Sequence, residues 1–330
     1  MKISIDNSLK DGFKRMKYIL FQPFDFVKWL IIGFASFLAS LGRGGGGGPR
    51  FNLPTESFGR NGNAGDLSTL ESWVSANLIA IILIALGAIA VGFAIFLILT
   101  WLSSRGQFLF IYAIAENKAE IKEPWVKYGH LGDRLFVFRL VLGVIVFTIV
   151  LMLLALGIFM LYPHIKGASF GLSAFLKMAI LALFIILFML FIGLIKLILM
   201  DFVVPLMFKK DVKVLEGFSI FYNELFRGNI SSFFFFYLVK IGLSIAAGFV
   251  VLLATCLTCC VAALPYISSV VFLPIAAFFE SFTLSFLGEF GKEYNLYTWS
   301  PEENKSQPEE KIEDHEIKEH SPDEGKDKEE

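Results

Sequence analysis

The sequence predicts an all-α, polytopic membrane protein: six transmembrane helices in three hairpins, each hairpin preceded by a short cytoplasmic amphipathic helix. Three observations predict it. The 330-residue chain is 56% hydrophobic with a mean hydropathy of +0.67, too apolar for an ordinary water-soluble domain. Uncharged runs such as Leu140 to Tyr162 recur along it, and about twenty apolar residues in a helix match the roughly 30 Å hydrocarbon core of a bilayer. Connections rich in lysine and arginine alternate with poorer ones.

The spans fall at about 25–42, 75–102, 135–162, 173–204, 231–259 and 266–288. The first reads as an uncleaved signal anchor, because the segment before it is longer and more amphipathic than the start of a cleavable signal. The uncharged stretch from Ile241 to Phe279 is too long for one crossing. Pro265 divides it, since proline cannot continue a helical hydrogen-bond ladder. Lys2, Lys10, Lys14, Arg15 and Lys17 precede the first span. Arg105, Lys118, Lys122, Lys127 and Arg134 follow the second, and Lys209, Lys210, Lys213 and Arg227 follow the fourth. The opposite connections carry fewer cations. The positive-inside rule then places both termini in the cytoplasm and the chain, multi-pass, in the cytoplasmic (inner) membrane.

Each cytoplasmic segment before spans one, three and five has amphipathic spacing. Leu9, Phe13, Met16 and Leu20 share one face opposite Lys10, Lys14 and Lys17; Leu215, Phe218, Tyr222 and Leu225 do the same before span five, and a shorter copy surrounds Trp125 and Tyr128. Asp25, Asp133 and Asn229 stand where helix N-caps of the three following spans belong. Such helices lie in the headgroup layer, so Lys10, Lys14, Arg15 and Lys17 are candidate contacts to anionic lipid. The competing reading is that any loop between spans is mildly amphipathic.

Two domains are expected. Residues 1–299 form the transmembrane domain, with 24 basic and 17 acidic residues; residues 300–330 form an acidic cytoplasmic tail with 13 acidic and 5 basic residues. The tail has almost no apolar residue besides Ile312 and Ile317, so it reads as disordered. It is either a solvated appendage or a protein-binding segment. The run Gly44 to Gly48 lacks the lysine and hydroxyl residue of a phosphate loop and reads as a flexible connection. Cys256, Cys259 and Cys260 lack a nearby histidine to complete a zinc site. They read as packing residues, with a redox or lipidation role as the alternative.

Charges inside spans carry more information, because a charge in lipid is costly and usually needs a partner. Lys240 in span five and Glu280 in span six are equidistant from the turn between them, so they share a depth and form a candidate intramembrane polar pair. Alternatively Lys240 extends toward the headgroups and Glu280 is protonated. Arg139, Lys196 and Asp201 form a second candidate group near the interface, with Asp201 able to neutralise one of the cations. Trp29, Trp73, Trp101 and Tyr162 fit an aromatic belt.

No catalytic motif is present: no serine elbow, no HExxH, no histidines at metal spacing. FQPFDFVKWLIIGFASFLASLGRGGGGG (Phe21 to Gly48), DFVVPLMFKKDVKVLEGF (Asp201 to Phe218), CCVAALPYISSVVFLPI (from Cys259) and FLGEFGKEYNLY (to Tyr297) resemble a bacterial family of uncharacterised integral membrane proteins. That family is itself similar to the membrane domain of glycerophosphodiester phosphodiesterases. The resemblance covers roughly residues 10–298 and implies fold and location only; the phosphodiesterase reaction belongs to a separate soluble domain. The expectation is a non-enzymatic protein that organises lipid or partner proteins at the cytoplasmic face. Its partners would be membrane lipids and, through the tail, a protein; no nucleic acid, cofactor or metal is expected. The alternative is a small transporter or channel using Lys240 and Glu280.

Overall fold

The computed structural model describes residues 4–41, 77–166, 172–257 and 265–301. The chain divides into a body, Met1–Trp299, and a second unit, Ser300–Glu330, of which only Ser300 and Pro301 are described. The glycine run, Trp73, Cys259, Cys260 and nearly all of the acidic tail therefore lie outside the described residues.

Among those described, the body is helical without strands. Its helices are α1 (Ile5–Phe21), α2 (Phe26–Ser40), α3 (Leu78–Ala115), α4 (Lys122–Lys127), α5 (Gly129–Lys166), α6 (Leu172–Ile198), α7 (Val204–Lys210), α8 (Val214–Ile220), α9 (Ile230–Leu257), α10 (Pro265–Val271) and α11 (Leu273–Gly288). A π-helical turn, Leu199–Val203, joins α6 to α7. A second, Phe221–Phe226, extends α8.

Four helical stretches are long and apolar enough to cross a membrane: Leu78–Ala115, Gly129–Met160, Phe175–Lys210 and Ile230–Leu257. Helices α2 and α11, of 15 and 16 residues, are shorter. The region assigned by sequence to a continuous sixth span is two helices. Phe272 leaves helical geometry (φ −93°, ψ 13°) ahead of Pro274, whose ring and missing N–H interrupt the ladder. In an uninterrupted helix the Val270 carbonyl would accept from residue 274. Instead it accepts from the Trp29 indole N–H at 3.0 Å. Trp29 thus has a structural role as well as an aromatic one.

The long helices change character along their length. In α3, residues 78–98 are mostly exposed, whereas every residue from 106 to 115 is buried. A packed core forms where the ends of α3, α5, α6 and α9 meet α1, α2, α7 and α11. Phe202 is its hub, ringed by Phe221, Phe233, Phe236, Tyr237 and Phe286 with centroids 5.1–6.1 Å away.

A glycine sits at the centre of two faces where helices meet, with large side chains buried around it. Helix α1 lies along α11 through Ser8, Gly12, Arg15, Met16 and Ile19, whereas Phe13 is 56% exposed. The face Leu9–Phe13–Met16–Leu20 read from sequence is therefore only half buried. The same rotation occurs in the third copy: Val214, Gly217, Phe221 and Leu225 are buried, while Leu215 and Tyr222 are exposed. At Gly12 and Gly217 the missing side chain lets the neighbouring segment approach closely.

The N-cap assignments divide. Asp25 caps α2, its Oδ1 accepting from Val27 N–H at 2.8 Å and Lys28 N–H at 3.2 Å. Asp133 is not a cap: it lies inside α5, where it accepts from Arg105 through both oxygens (3.0 and 2.8 Å) and from the Trp101 indole (2.9 Å). Arg105 also stacks against Trp101 and Trp125. Asn229 precedes α9, but its side-chain amide donates backward to the Leu225 carbonyl at 3.1 Å.

A Cβ at Gly12 would lie 2.8 Å from both Cα and N of Phe282; at Gly106 it would lie 2.7 Å from the Leu38 carbonyl carbon. Gly12→Ala and Gly106→Ala should each destabilise the protein by about 1–3 kcal/mol through overpacking, outweighing the gain of about 1 kcal/mol in helix propensity. Gly242→Ala, with nothing within 4 Å, should be neutral or stabilising. Thermal unfolding in one detergent checks all three; equal midpoints for Gly12→Ala and Gly242→Ala would contradict the close crossing.

Candidate functional site

Pro205 is the local cause of the site's geometry. It stands four residues after Asp201 and offers no N–H to the Asp201 carbonyl. The helix widens there, and the Val204 N–H reaches back to the Leu199 carbonyl, five residues away. The resulting π turn carries the Asp201 side chain into the core beside Phe202. Such turns in otherwise regular helices recur at functional positions.

Asp201 meets Lys240 of α9 there. Lys240 Nζ is 2.8 Å from Asp201 Oδ1 and donates to Thr283 Oγ1 of α11 at 3.1 Å; the ammonium also lies 5.4 Å from the centre of the Phe236 ring. The two charged side chains are only 18% and 15% exposed. Three helical segments are thus tied at one point: the π turn by its carboxylate, α9 by its ammonium and α11 by its hydroxyl.

Arg139 of α5 approaches the same turn from another side. One Nη donates to Ser104 Oγ of α3 at 3.0 Å, and the other reaches Met200 Sδ, next to Asp201, at 3.1 Å. Lys196 is exposed, and Glu280 is buried on α11 three residues before Thr283. The two groups drawn from sequence are therefore redistributed. Lys240 does reach α11 near Glu280, but its ion pair is with Asp201, which the sequence reading had grouped with Arg139 and Lys196.

On α1, Lys10, Lys14 and Lys17 are exposed, with Lys10 paired to Asp6. Arg15 departs from the lipid-contact reading. It is 8% exposed, held by Asp11 at 2.8 Å, and donates to the Trp299 carbonyl at 2.9 Å. Its guanidinium carbon lies 3.6 Å from the Tyr297 ring centre, and Trp299 stacks on Tyr18. Asp11 also accepts from Ser285 Oγ at 2.8 Å. This clasp fastens the segment after α11 onto α1. The Asp11/Arg15 spacing of one helical turn was its only trace in the sequence.

A second clasp joins Lys210, Glu224 and Tyr294. The Tyr294 hydroxyl bonds the Glu224 carboxylate, and that bond, with help from Lys210 at 3.2 Å, holds the carboxyl below its usual range. Burial pushes the Tyr294 and Tyr297 phenols above theirs. Among the described residues no three His, Cys, Asp or Glu side chains gather to hold a metal ion. Cys256 is an exposed thiol.

Removing one partner of a buried ion pair typically destabilises by about 3–5 kcal/mol, whereas replacing both with neutral residues is far milder. Lys240→Met should therefore lower the unfolding midpoint strongly, and Asp201→Asn/Lys240→Met should recover most of the loss; a double variant no better than the single would show that the charges do not act as a pair. For Tyr297, the folded pKa lies above the unfolded one, so its contribution is fully present below about pH 10 and is lost as pH rises further. Tyr297→Phe should flatten the alkaline fall in the unfolding midpoint, measured against wild type.

Neither the curated proteins nor the solved structures contain a match to this chain. A family profile does match, the one described as Family of unknown function (DUF7544), over residues 4–273. The match runs from the N-cap of α1 to the start of α11. It includes Arg139, Asp201 and Lys240 and stops short of Glu280 and the clasp at Tyr297. It spans most of the chain, and the protein accordingly belongs to this family of unknown function.

Proposed function

We propose that the protein is a non-enzymatic, multi-pass membrane protein that gathers anionic lipid or partner proteins at the cytoplasmic face of an inner membrane. The observation that carries this reading is the division of labour on α1. One face is committed to α11 at Gly12. The other presents exposed Lys10, Lys14 and Lys17 together with the exposed ring of Phe13, followed by exposed Phe21 and Phe24. Basic and aromatic side chains on one exposed helix face suit the headgroup layer.

In this reading α2 and the α10–α11 pair complete six crossings with the four long helices, in three hairpins with both termini cytoplasmic. The lysine and arginine distribution supports that orientation. The acidic tail is the candidate contact for a protein partner. Likeness to the membrane domain of glycerophosphodiester phosphodiesterases, and a bacterial origin, belong to the same proposal and rest on the quoted sequence stretches alone.

A small transporter or channel is the second reading, favoured by the buried Asp201–Lys240 pair beside Glu280. The two separate on Glu280→Gln in reconstituted vesicles: loss of an ion or solute flux supports transport, and indifference supports the organising role.

For the favoured reading, Lys10→Gln/Lys14→Gln/Lys17→Gln should lower the ratio of anionic to zwitterionic lipid retained through purification several-fold, a basic residue near an anionic surface being worth about 1 kcal/mol. Mass spectrometry of the retained lipid reads this directly. An unchanged ratio would count against the proposal, while Arg15→Gln, which opens the clasp, should lower thermal stability instead.

A further inference from the structure

Asp201 is only half satisfied. A carboxylate has about four acceptor positions, yet among the described residues Oδ2 is buried without a hydrogen-bond partner, Lys240 being held by Oδ1. The Tyr237 hydroxyl is likewise buried and unpartnered. The two groups do not hydrogen-bond each other, but they belong to adjoining residues of the same packed cluster. Tyr237 stands one helical turn before Lys240 on the same face of α9, its ring centre lies 6.0 Å from that of Phe202, and its phenol lies within the field of the Asp201 charge. An open acceptor on a carboxylate, a hydroxyl able both to give and to take a proton, and a flexible ammonium thus converge at a π turn among membrane-crossing helices.

We propose that Asp201 and Tyr237 form a proton-binding site in the packed helical core, loaded from water, whose occupancy governs the tie between the π turn and α9. On loading, a proton from water binds Asp201 Oδ2, and the resulting acid donates to the Tyr237 oxygen. Lys240 then loses its counter-charge, and its long stem lets the ammonium leave Asp201 while it keeps Thr283 as its partner. On unloading the proton returns to water and the ion pair re-forms. This goes beyond the organising role and stands or falls separately from it.

The surrounding charges bear on the site from each packed element. Lys240 of α9 pairs with Asp201, Arg139 of α5 reaches the adjoining Met200, and Glu280 of α11 is buried three residues before Thr283. Lys196 of α6 is exposed, Lys210 of α7 is paired with Glu224, Lys209 of α7 lies beside it in sequence, and Glu216 of α8 is exposed.

The test is infrared difference spectroscopy of the full chain in lipid nanodiscs across a pH titration, with carbon-13 aspartate to mark the signal. The expected result, read as the wild-type signal minus that of Asp201→Asn/Lys240→Met so that the other aspartates cancel, is a protonated-carboxyl component that grows as pH falls, shifts with the label and moves in Tyr237→Phe. The double variant avoids stranding Lys240 and keeps the result readable where Asp201→Asn alone fails to fold. A labelled signal identical in wild type and the double variant at every pH at which both stay folded would overturn the proposal.

Discussion

At Gly12 the backbone of α1 comes so close to that of α11 that no Cβ fits between them, and much of the core is organised around that crossing. It brings Asp11 to Ser285 and Arg15 to Tyr297, and so fastens the segment after α11 to the start of the chain. It also positions α11, whose Thr283 meets Lys240 and whose Phe282 and Phe286 stack on Phe236. In water such a contact is driven by expelling solvent from apolar surface. Close backbone approach adds dense dispersion contacts to that drive. A single methyl group at position 12 therefore bears on the whole junction.

The second organising rule is that no backbone polar group is left open among apolar side chains. Two prolines break it locally, and the chain resolves each differently. Pro274 leaves the Val270 carbonyl without its α-helical donor, and the indole of Trp29, from a helix far away in sequence, takes the place. Pro205 does the same to Asp201, and the helix widens to a π turn. In the first case the repair welds α2 to α10. In the second it re-aims a carboxylate, giving the Asp201–Lys240 pair its place.

The long helices were legible because hydropathy and length are read residue by residue. Their faces were less so. Amphipathic spacing put Phe13 and Tyr222 on the packed side of their segments, and both are exposed, because the buried faces are rotated toward Gly12 and Gly217, where a neighbouring segment comes too close for a side chain. Gly12 and Gly217 were the better markers. Asp25 was readable as a cap from its position alone; Asp133 occupies a similar position, but its carboxylate goes to Arg105, a residue 28 positions earlier that no local pattern connects to it. Equal-depth reasoning brought Lys240 to the right level of α11. It could not find Asp201, because equal depth relates the two arms of one hairpin and Asp201 belongs to another.

A buried ion pair is a weak way to stabilise a core, since the desolvation of two charges offsets much of their attraction. Here it lies among helices whose other contacts are almost all aliphatic or aromatic, and such contacts tolerate rotation and sliding. Lys240 can meet both Asp201 and Thr283 only at one rotation of α9 and one height of α11, and Arg139 can span Ser104 and Met200 only when α5 is equally fixed. The charges therefore contribute orientation more than energy. That is also why the one open oxygen of Asp201 matters: a group that fixes the register of several helices through a single ionic contact transmits any change in its own charge to all of them.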